Sequence, residues 1–298
     1  MFLVIGGDSE IGAAAQRALR ADGKAVVATT RRRERIGPDR PFLDLAAPLH
    51  SWAPPPATTA ACLCAAIARL AACASDSQGS GRINVDQTVA LAEKLLARDV
   101  YVLFLSTNQV FDGSIPHTPP DAVHAPRSEY GRQKARAEAA LLDLMGRGAP
   151  IGILRLAKVV SASMPLIRDW TRNLADGTPI RAFNDLTLAP TPTELVCMAI
   201  GALLEDRAAG IFQLTGPRDV TYAEVGRFLA AHVGADPALV QETSAQVGGL
   251  PDGGTPANTT LDSSLLRARY GLEVPDVWQV VEAVATASER KVASPTDA

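Results

Sequence analysis

The first dozen residues constrain the fold of this chain more than any other stretch. An apolar run from Phe2 to Ile5 passes without a break into Gly6-Gly7-Asp8-Ser9-Glu10-Ile11-Gly12. A short apolar run ending in glycines and entering an apolar-periodic segment reads as strand, tight turn and helix. That arrangement aims the free N–H groups and the dipole of a helix start at a phosphate. Gly6 permits the turn and Gly12 permits helix to pack closely on strand, while Ser9 stands where the middle glycine of a G-x-x-G-x-x-G spacing falls. A bland strand-turn-helix is the competing reading of this motif taken alone. The run has no basic leader, so it reads as a buried strand rather than a signal peptide.

Short apolar runs recur at residues 2–5, 25–28, 60–66, 100–105 and 151–156, separated by helical periodicity at 11–21, 85–98 and 130–145. The alternation predicts an α/β protein with a doubly wound parallel sheet of the Rossmann type. Gly23 and Gly146 sit where helix-ending glycines belong. Pro54, Pro55 and Pro56 forbid a long helix between Asp44 and Ala60, so one crossover shortens to a loop. The Ser/Gly stretch 75–81 reads as a second, flexible loop. After Leu156 the alternation fades and prolines scatter. This divides the chain into a cofactor domain at 1–160, a smaller, mainly substrate-binding C-terminal lobe at 161–290 with segments free to return to the sheet, and a frayed tail at 291–298.

With 298 residues and 47% hydrophobic content, the chain can bury a core of that size. A balance of 29 Lys+Arg against 32 Asp+Glu, net −3, offers no field for gripping nucleic acid or an anionic membrane. No stretch has the length of a membrane span. The expected partner is a small-molecule substrate. Cys62 and Cys64 are read as facing opposite sides of a strand, sharing neither disulfide nor metal; with Cys73 and Cys197 they point to reduced thiols and a cytoplasmic protein. His50, His117, His124 and His232 have no acidic or cysteine neighbours at ligand spacing, so no metal site is expected.

Two further constellations carry chemistry. Thr29-Thr30-Arg31-Arg32-Arg33 follows the second strand, where such a fold places the adenosine ribose. Arginine there pairs with a 2′-phosphate, and no Asp or Glu appears in this turn before Glu34, so Thr30, Arg31 and Arg32 favour NADP(H) over NAD(H). A solvated basic turn is the alternative. Leu105-Ser106-Thr107 ends a later strand, and Tyr130-Gly131-Arg132-Gln133-Lys134 opens a helix with Tyr130 and Lys134 one turn apart. An ammonium beside the phenol is expected to lower its pKa toward a useful acid/base range, with Ser106 or Thr107 hydrogen-bonding the same substrate oxygen.

Together with Asn84-Val85 and Ser106-Thr107-Asn108-Gln109-Val110-Phe111-Asp112-Gly113, these motifs resemble the extended short-chain dehydrogenase/reductases, and within them the dTDP-4-dehydrorhamnose reductase family. That family's Ser-Thr-Asp-Tyr-Val-Phe-Asp-Gly segment is matched except at Asn108 and Gln109, and Pro256-Ala257-Asn258-Thr259-Thr260-Leu261-Asp262 is similar to its C-terminal motif. The resemblance implies Thr107, Tyr130 and Lys134 as the catalytic triad, with Lys134 also holding the nicotinamide ribose. It implies a cofactor lining of Gly6, Ser9, Glu10, Ile11, Arg31, Asp44, Leu45, Ala65 and Ala66, with Asn84 steadying the active-site helix. Asn108, Gln109, Val110, Phe111, Arg168 and Asn258 are the expected substrate contacts. Thr255 replaces the family's arginine before the C-terminal proline, and His117-Thr118-Pro119-Pro120-Asp121 blurs its acidic pair. The implied activity is reduction of a keto group on a nucleotide-linked or otherwise activated sugar, and a homodimer is compatible with it. Alternatives are an epimerase or dehydratase of the same family, or a non-catalytic NADP-binding regulatory subunit.

Overall fold

The computed structural model describes residues 1–161, 164–249 and 256–293. Thr255 and the tail beyond Ala293 lie outside the described residues. The strands are β1 (Phe2–Ile5), β2 (Val26–Ala28), β3 (Ala60–Leu63), β4 (Tyr101–Thr107), β5 (Ile151–Leu156), β6 (Val159–Val160), β7 (Ile180–Phe183), β8 (Thr187–Leu188), β9 (Thr191–Pro192), β10 (Gly210–Leu214), β11 (Val220–Thr221) and β12 (Val240–Thr243). The helices are α1 (Glu10–Ala21), α2 (Leu70–Ser75), α3 (Ser77–Gly81), α4 (Thr88–Leu96), α5 (Glu129–Gly146), α6 (Pro165–Ala175), α7 (Thr193–Glu205), α8 (Tyr222–His232), α9 (Ser264–Tyr270) and α10 (Val277–Ala293).

A six-stranded parallel sheet in the order β10-β5-β4-β3-β1-β2 forms the centre. Apolar runs buried on both faces are what such a sheet requires, and all seven residues of β4 are buried. On one face Leu19 of α1 and Ile200 and Leu203 of α7 cover Val4, Cys62 and Leu154. On the other, Leu91 and Leu95 of α4 and Leu141 of α5 cover Leu3, Ala61 and Phe104. The sheet is therefore doubly wound. A separate apolar core joins Trp170 of α6, Leu229 of α8 and Val281 of α10 to Ile180 of β7. Late in the chain, α7 and β10 return to the sheet.

Several expectations need correction. The third strand stops at Leu63, and the fourth starts at Tyr101 and runs on to Thr107. The helix expected from residue 85 begins earlier, as α3 followed by a π-helical turn at Arg82–Gln87. The expected flexible loop at 75–81 is thus partly helical, because the Asp76 carboxylate accepts from Gly79 N at 2.8 Å and Gln133 of α5 donates to Ser80 Oγ at 2.8 Å. The tail expected to fray from Lys291 stays helical to Ala293. Cys62 and Cys64 share one side of the sheet, their sulfurs 3.4 Å apart, since strand side chains repeat every second residue. The proline-rich crossover between β2 and β3 has no α-helix, only a 3₁₀ turn at Arg33–Arg35.

Among the described residues, no helix is long and apolar enough to cross a membrane, and no group of three or more His, Cys, Asp or Glu side chains is placed to hold a metal ion.

Candidate active site

The turn between β1 and α1 is shaped by Gly6, whose φ of +84° is a left-handed conformation that favours glycine. A Cβ there would also stand 2.8 Å from Ala65, so the turn lies directly against the chain leaving β3. Ser9 replaces a glycine without cost to the turn. Its hydroxyl donates to Gly6 O at 2.8 Å and accepts from Gly12 N at 3.1 Å, capping α1.

Over the carboxyl ends of β1, β2 and β3 lies a cavity of about 400 Å³. Gly6, Ser9, Arg31, Arg32, Asp44, Leu45, Ala65 and Ala66 line it, as do Asp8 and Arg69, which sequence reasoning did not single out. The side chains of Arg31 and Arg32 make no hydrogen bond or ion pair with another described residue, whereas Arg33 lies over the Phe42 ring at 4.8 Å. A glycine turn at a helix start, two unpaired guanidinium groups and a cavity of this size fit a dinucleotide.

Other expected cofactor residues do not line this cavity. Glu10 accepts from Ser161 Oγ at 2.8 Å, and Ile11 packs against the core under α1. Thr30 is buried and donates to Asp8. Asn84 is buried as well. Its amide donates to Ile67 O at 2.9 Å and to Gln133 Oε1 at 2.8 Å, and its oxygen accepts from Ile67 N at 2.8 Å, which ties the chain after β3 to α5.

The end of β4 carries the expected reactive set. Ser106 and Thr107 are buried, and Thr107 Oγ1 accepts from Gln109 N at 3.3 Å. Ser128 caps α5 by accepting from Gly131 N at 3.0 Å while donating to Gln109 Oε1 at 2.7 Å. This linkage sets the first turn of α5, with Tyr130, against the turn at Asn108–Val110. Lys134 points back to the sheet, its Nζ donating to Leu105 O at 2.5 Å and lying 3.6 Å from the centre of the Phe104 ring. Burial pushes the Lys134 ammonium down to about 7, against the attraction of Glu138. Burial, with a smaller contribution from Cys73, pushes the Tyr130 phenol up. Burial therefore dominates at the Tyr130 phenol, and the lowering by Lys134 that the sequence suggested is not seen.

Below this set lies a charged cluster that the sequence did not reveal. Glu138 and Arg155, both fully buried, pair at 2.7 Å. Arg155 also donates to Pro120 O at 2.8 Å and stacks over Phe111 at 4.9 Å, while His124 stands 3.1 Å from Glu138. A buried arginine in an apolar strand, Ile151–Leu156, was the available signal.

The expected substrate residues do not form one group. Asn108 and Gln109 are partly exposed beside Thr107, but Val110 and Phe111 are buried, packed with Ala135 and Leu261, and Phe111 lies under Arg155. Arg168 is exposed and pairs with Asp169 at 3.0 Å. Asn258 donates to Gly113 O at 3.0 Å, so its amide fastens the Pro256–Asp262 strap to the loop after β4, and Thr118 N reinforces this by donating to Thr260 O at 3.2 Å.

A doubly wound sheet with a glycine turn at its first helix and a Tyr-Lys pair beside its fourth strand defines an NAD(P)-dependent oxidoreductase similar to dTDP-4-dehydrorhamnose reductase. The family model described as the RmlD substrate binding domain matches residues 1–290, and the chain belongs to that family. A dTDP-4-keto-6-deoxy-D-glucose reductase of Streptomyces niveus is 29% identical over 219 residues, which cover 72% of this chain and 70% of that one. Two solved structures share the fold. The dTDP-4-dehydrorhamnose reductase of Bacillus anthracis in complex with NADP is 16% identical, with a TM-score of 0.77 and coverage of 98% of this chain and 99% of that one. MoeE5 in complex with UDP-glucose and NAD is 22% identical, also with a TM-score of 0.77 and coverage of 98% and 99%.

Proposed function

We propose that this protein reduces a keto group on a nucleotide-linked sugar, with NADPH as reductant and Tyr130 as proton donor. The observation that carries this reading is that Thr107, Tyr130 and Lys134 are fixed by β4 and the start of α5 at the same carboxyl edge of the sheet as the glycine-turn cavity. Backbone N–H groups at the start of α1 suit a pyrophosphate, Arg31 and Arg32 suit a 2′-phosphate, and Lys134 suits ribose hydroxyls. When bound there, the nicotinamide supplies the hydride.

As a carbonyl oxygen gains charge it needs a hydrogen-bond donor already aimed at it. Thr107 serves as that donor, and Tyr130 transfers its hydroxyl proton to the same oxygen. A Tyr130 phenol raised by burial is fully protonated at neutral pH, the form a proton donor requires. Lys134, poised at about 7, takes or keeps its charge according to what binds beside it.

Substrate selection is assigned to the C-terminal part of the chain, 161–290, apart from α7 and β10, which return to the sheet. Four free cysteines, two of them with sulfurs in hydrogen-bond contact at 3.4 Å, support a cytoplasmic setting. The test is to offer the purified protein a panel of nucleotide-linked 4-keto sugars and follow NADPH consumption. Turnover of at least one sugar is expected, and no turnover across the panel by a folded, cofactor-binding protein would overturn the reading.

A further inference from the structure

Asp8 occupies the glycine turn, yet its carboxylate reaches the end of β2. Thr30 Oγ1 donates to Asp8 Oδ2 at 2.5 Å and accepts from Arg32 N at 3.0 Å. Asp8 Oδ1 lies 3.2 Å from Arg35 and 3.8 Å from Arg40. Arg40 reaches Gln16 at 3.4 Å, and Gln16 donates to Gly7 O at 2.9 Å, so the basic turn is gathered against the glycine turn. The Asp8 side chain is 15% exposed and lines the same cavity as Arg31 and Arg32.

An acidic group at the end of the second strand accepts a ribose hydroxyl and opposes a 2′-phosphate. The turn after β2 has no such residue before Glu34, but the fold supplies one from a different segment. The same carboxylate also occupies Arg35 and Arg40, while Arg31 and Arg32 form no ion pair with another described residue and remain open to a phosphate. Burial pushes the Asp8 carboxyl up, but the hydrogen bonds from Thr30 and Arg35 and the charges of Arg32 and Arg35 hold it below its ordinary range, so it is ionised at neutral pH.

We infer that Asp8 is the specificity-determining residue at the adenosine ribose, restraining the preference for NADPH and keeping NADH able to bind. This rests on the reading that Arg31 and Arg32 face a 2′-phosphate.

The test is direct titration of NADPH and NADH into the unmodified protein and three variants, followed by cofactor fluorescence and without substrate. Asp8→Asn keeps the shape and an acceptor for Thr30 while removing the charge and freeing Arg35 and Arg40. The ratio of NADH to NADPH dissociation constants should rise about tenfold, the factor set by one charge-assisted contact. Asp8→Ser also removes the carboxylate while leaving Arg35 and Arg40 in place, and the ratio should rise there too. That variant decides the matter should Asp8→Asn fail to fold. Arg31→Ala with Arg32→Ala tests the phosphate reading by itself. A ratio that collapses there but does not move in Asp8→Asn overturns the inference alone. If the unmodified protein binds NADH at least as tightly as NADPH, the phosphate reading falls, while a ratio that still rises in Asp8→Asn upholds the role of Asp8.

Discussion

A Cβ atom on Gly131 would stand 2.2 Å from the carbonyl oxygen of Gln109. That distance is closer than any side chain tolerates, and the atom it would meet is backbone. The absence of a side chain at the third residue of α5 therefore lets the helix rest on the turn that follows Thr107. Gly131→Ala should force the two apart, with an overpacking cost of roughly 1–3 kcal/mol. Turnover should drop further than stability suggests, since a displacement of about 1 Å at a reacting centre is worth on the order of a hundredfold. Urea unfolding beside steady-state kinetics checks both, and an alanine variant of unchanged stability and rate would show that the contact relaxes freely.

Tyr130→Phe removes one hydroxyl for which no described residue is a hydrogen-bond partner, so fold and cofactor affinity should stay nearly as they are. Turnover of a true substrate should fall roughly a hundredfold to ten-thousandfold, the range for a positioned acid. Lys134→Ala should weaken cofactor binding as well. A Tyr130→Phe protein reducing substrate at the unmodified rate would move the catalytic role elsewhere.

The doubly wound sheet was legible because β1 is an unbroken apolar run, β4 and β5 are mostly apolar, and strand, glycine turn and helix follow one another within the first dozen residues. Part of the cavity lining was named from the glycine turn, the arginine turn and the family resemblance, but Asp8 and Arg69 were not. Long-range placement was not legible. Asp8 reaches Thr30 and Arg35 only because β1 and β2 are neighbours, and nothing in the spacing of these residues encodes that adjacency. Phe111 and Asn258 read as substrate contacts from their motifs, but Arg155 and Gly113 O claim them once the chain is folded. The Ser/Gly stretch was misjudged because propensity weighs glycine without the Asp76 cap and the Gln133 hydrogen bond that order it.

Glu138 and Arg155 form an ion pair shielded from water on every side. Removing one partner strands the other charge, so Glu138→Gln should cost about 3–5 kcal/mol. The double variant Glu138→Gln with Arg155→Met should cost less than the sum of the two single changes, because it leaves no orphaned charge. Denaturant midpoints for the three proteins decide this, and strictly additive losses would mean that the two groups do not depend on each other.

Lys134 makes the folding of the cofactor-free protein depend on pH in a direction that can be worked out. Its ammonium releases a proton at about 7 in the folded chain, against an ordinary value of 10.5. Between those two values the unfolded chain holds a proton that the folded chain has lost, so unfolding takes up a proton and stability rises with pH. The slope is at most about 1.4 kcal/mol per pH unit. Below about 7 both states are protonated and the contribution levels off at its least favourable value. Lys134→Met keeps most of the buried bulk and has no proton to exchange, so it should be the more stable protein near neutrality. Its advantage should shrink steadily as pH rises from about 7 toward 9.5. Comparing the two proteins at each pH cancels the other titrating groups, including the buried cysteines and tyrosines whose raised pKa values act in the opposite sense. Urea unfolding of both proteins at three pH values across that window is the measurement. A difference in stability that stays constant with pH would mean that Lys134 keeps its proton when buried, held by Glu138 and Leu105 O more strongly than burial opposes it.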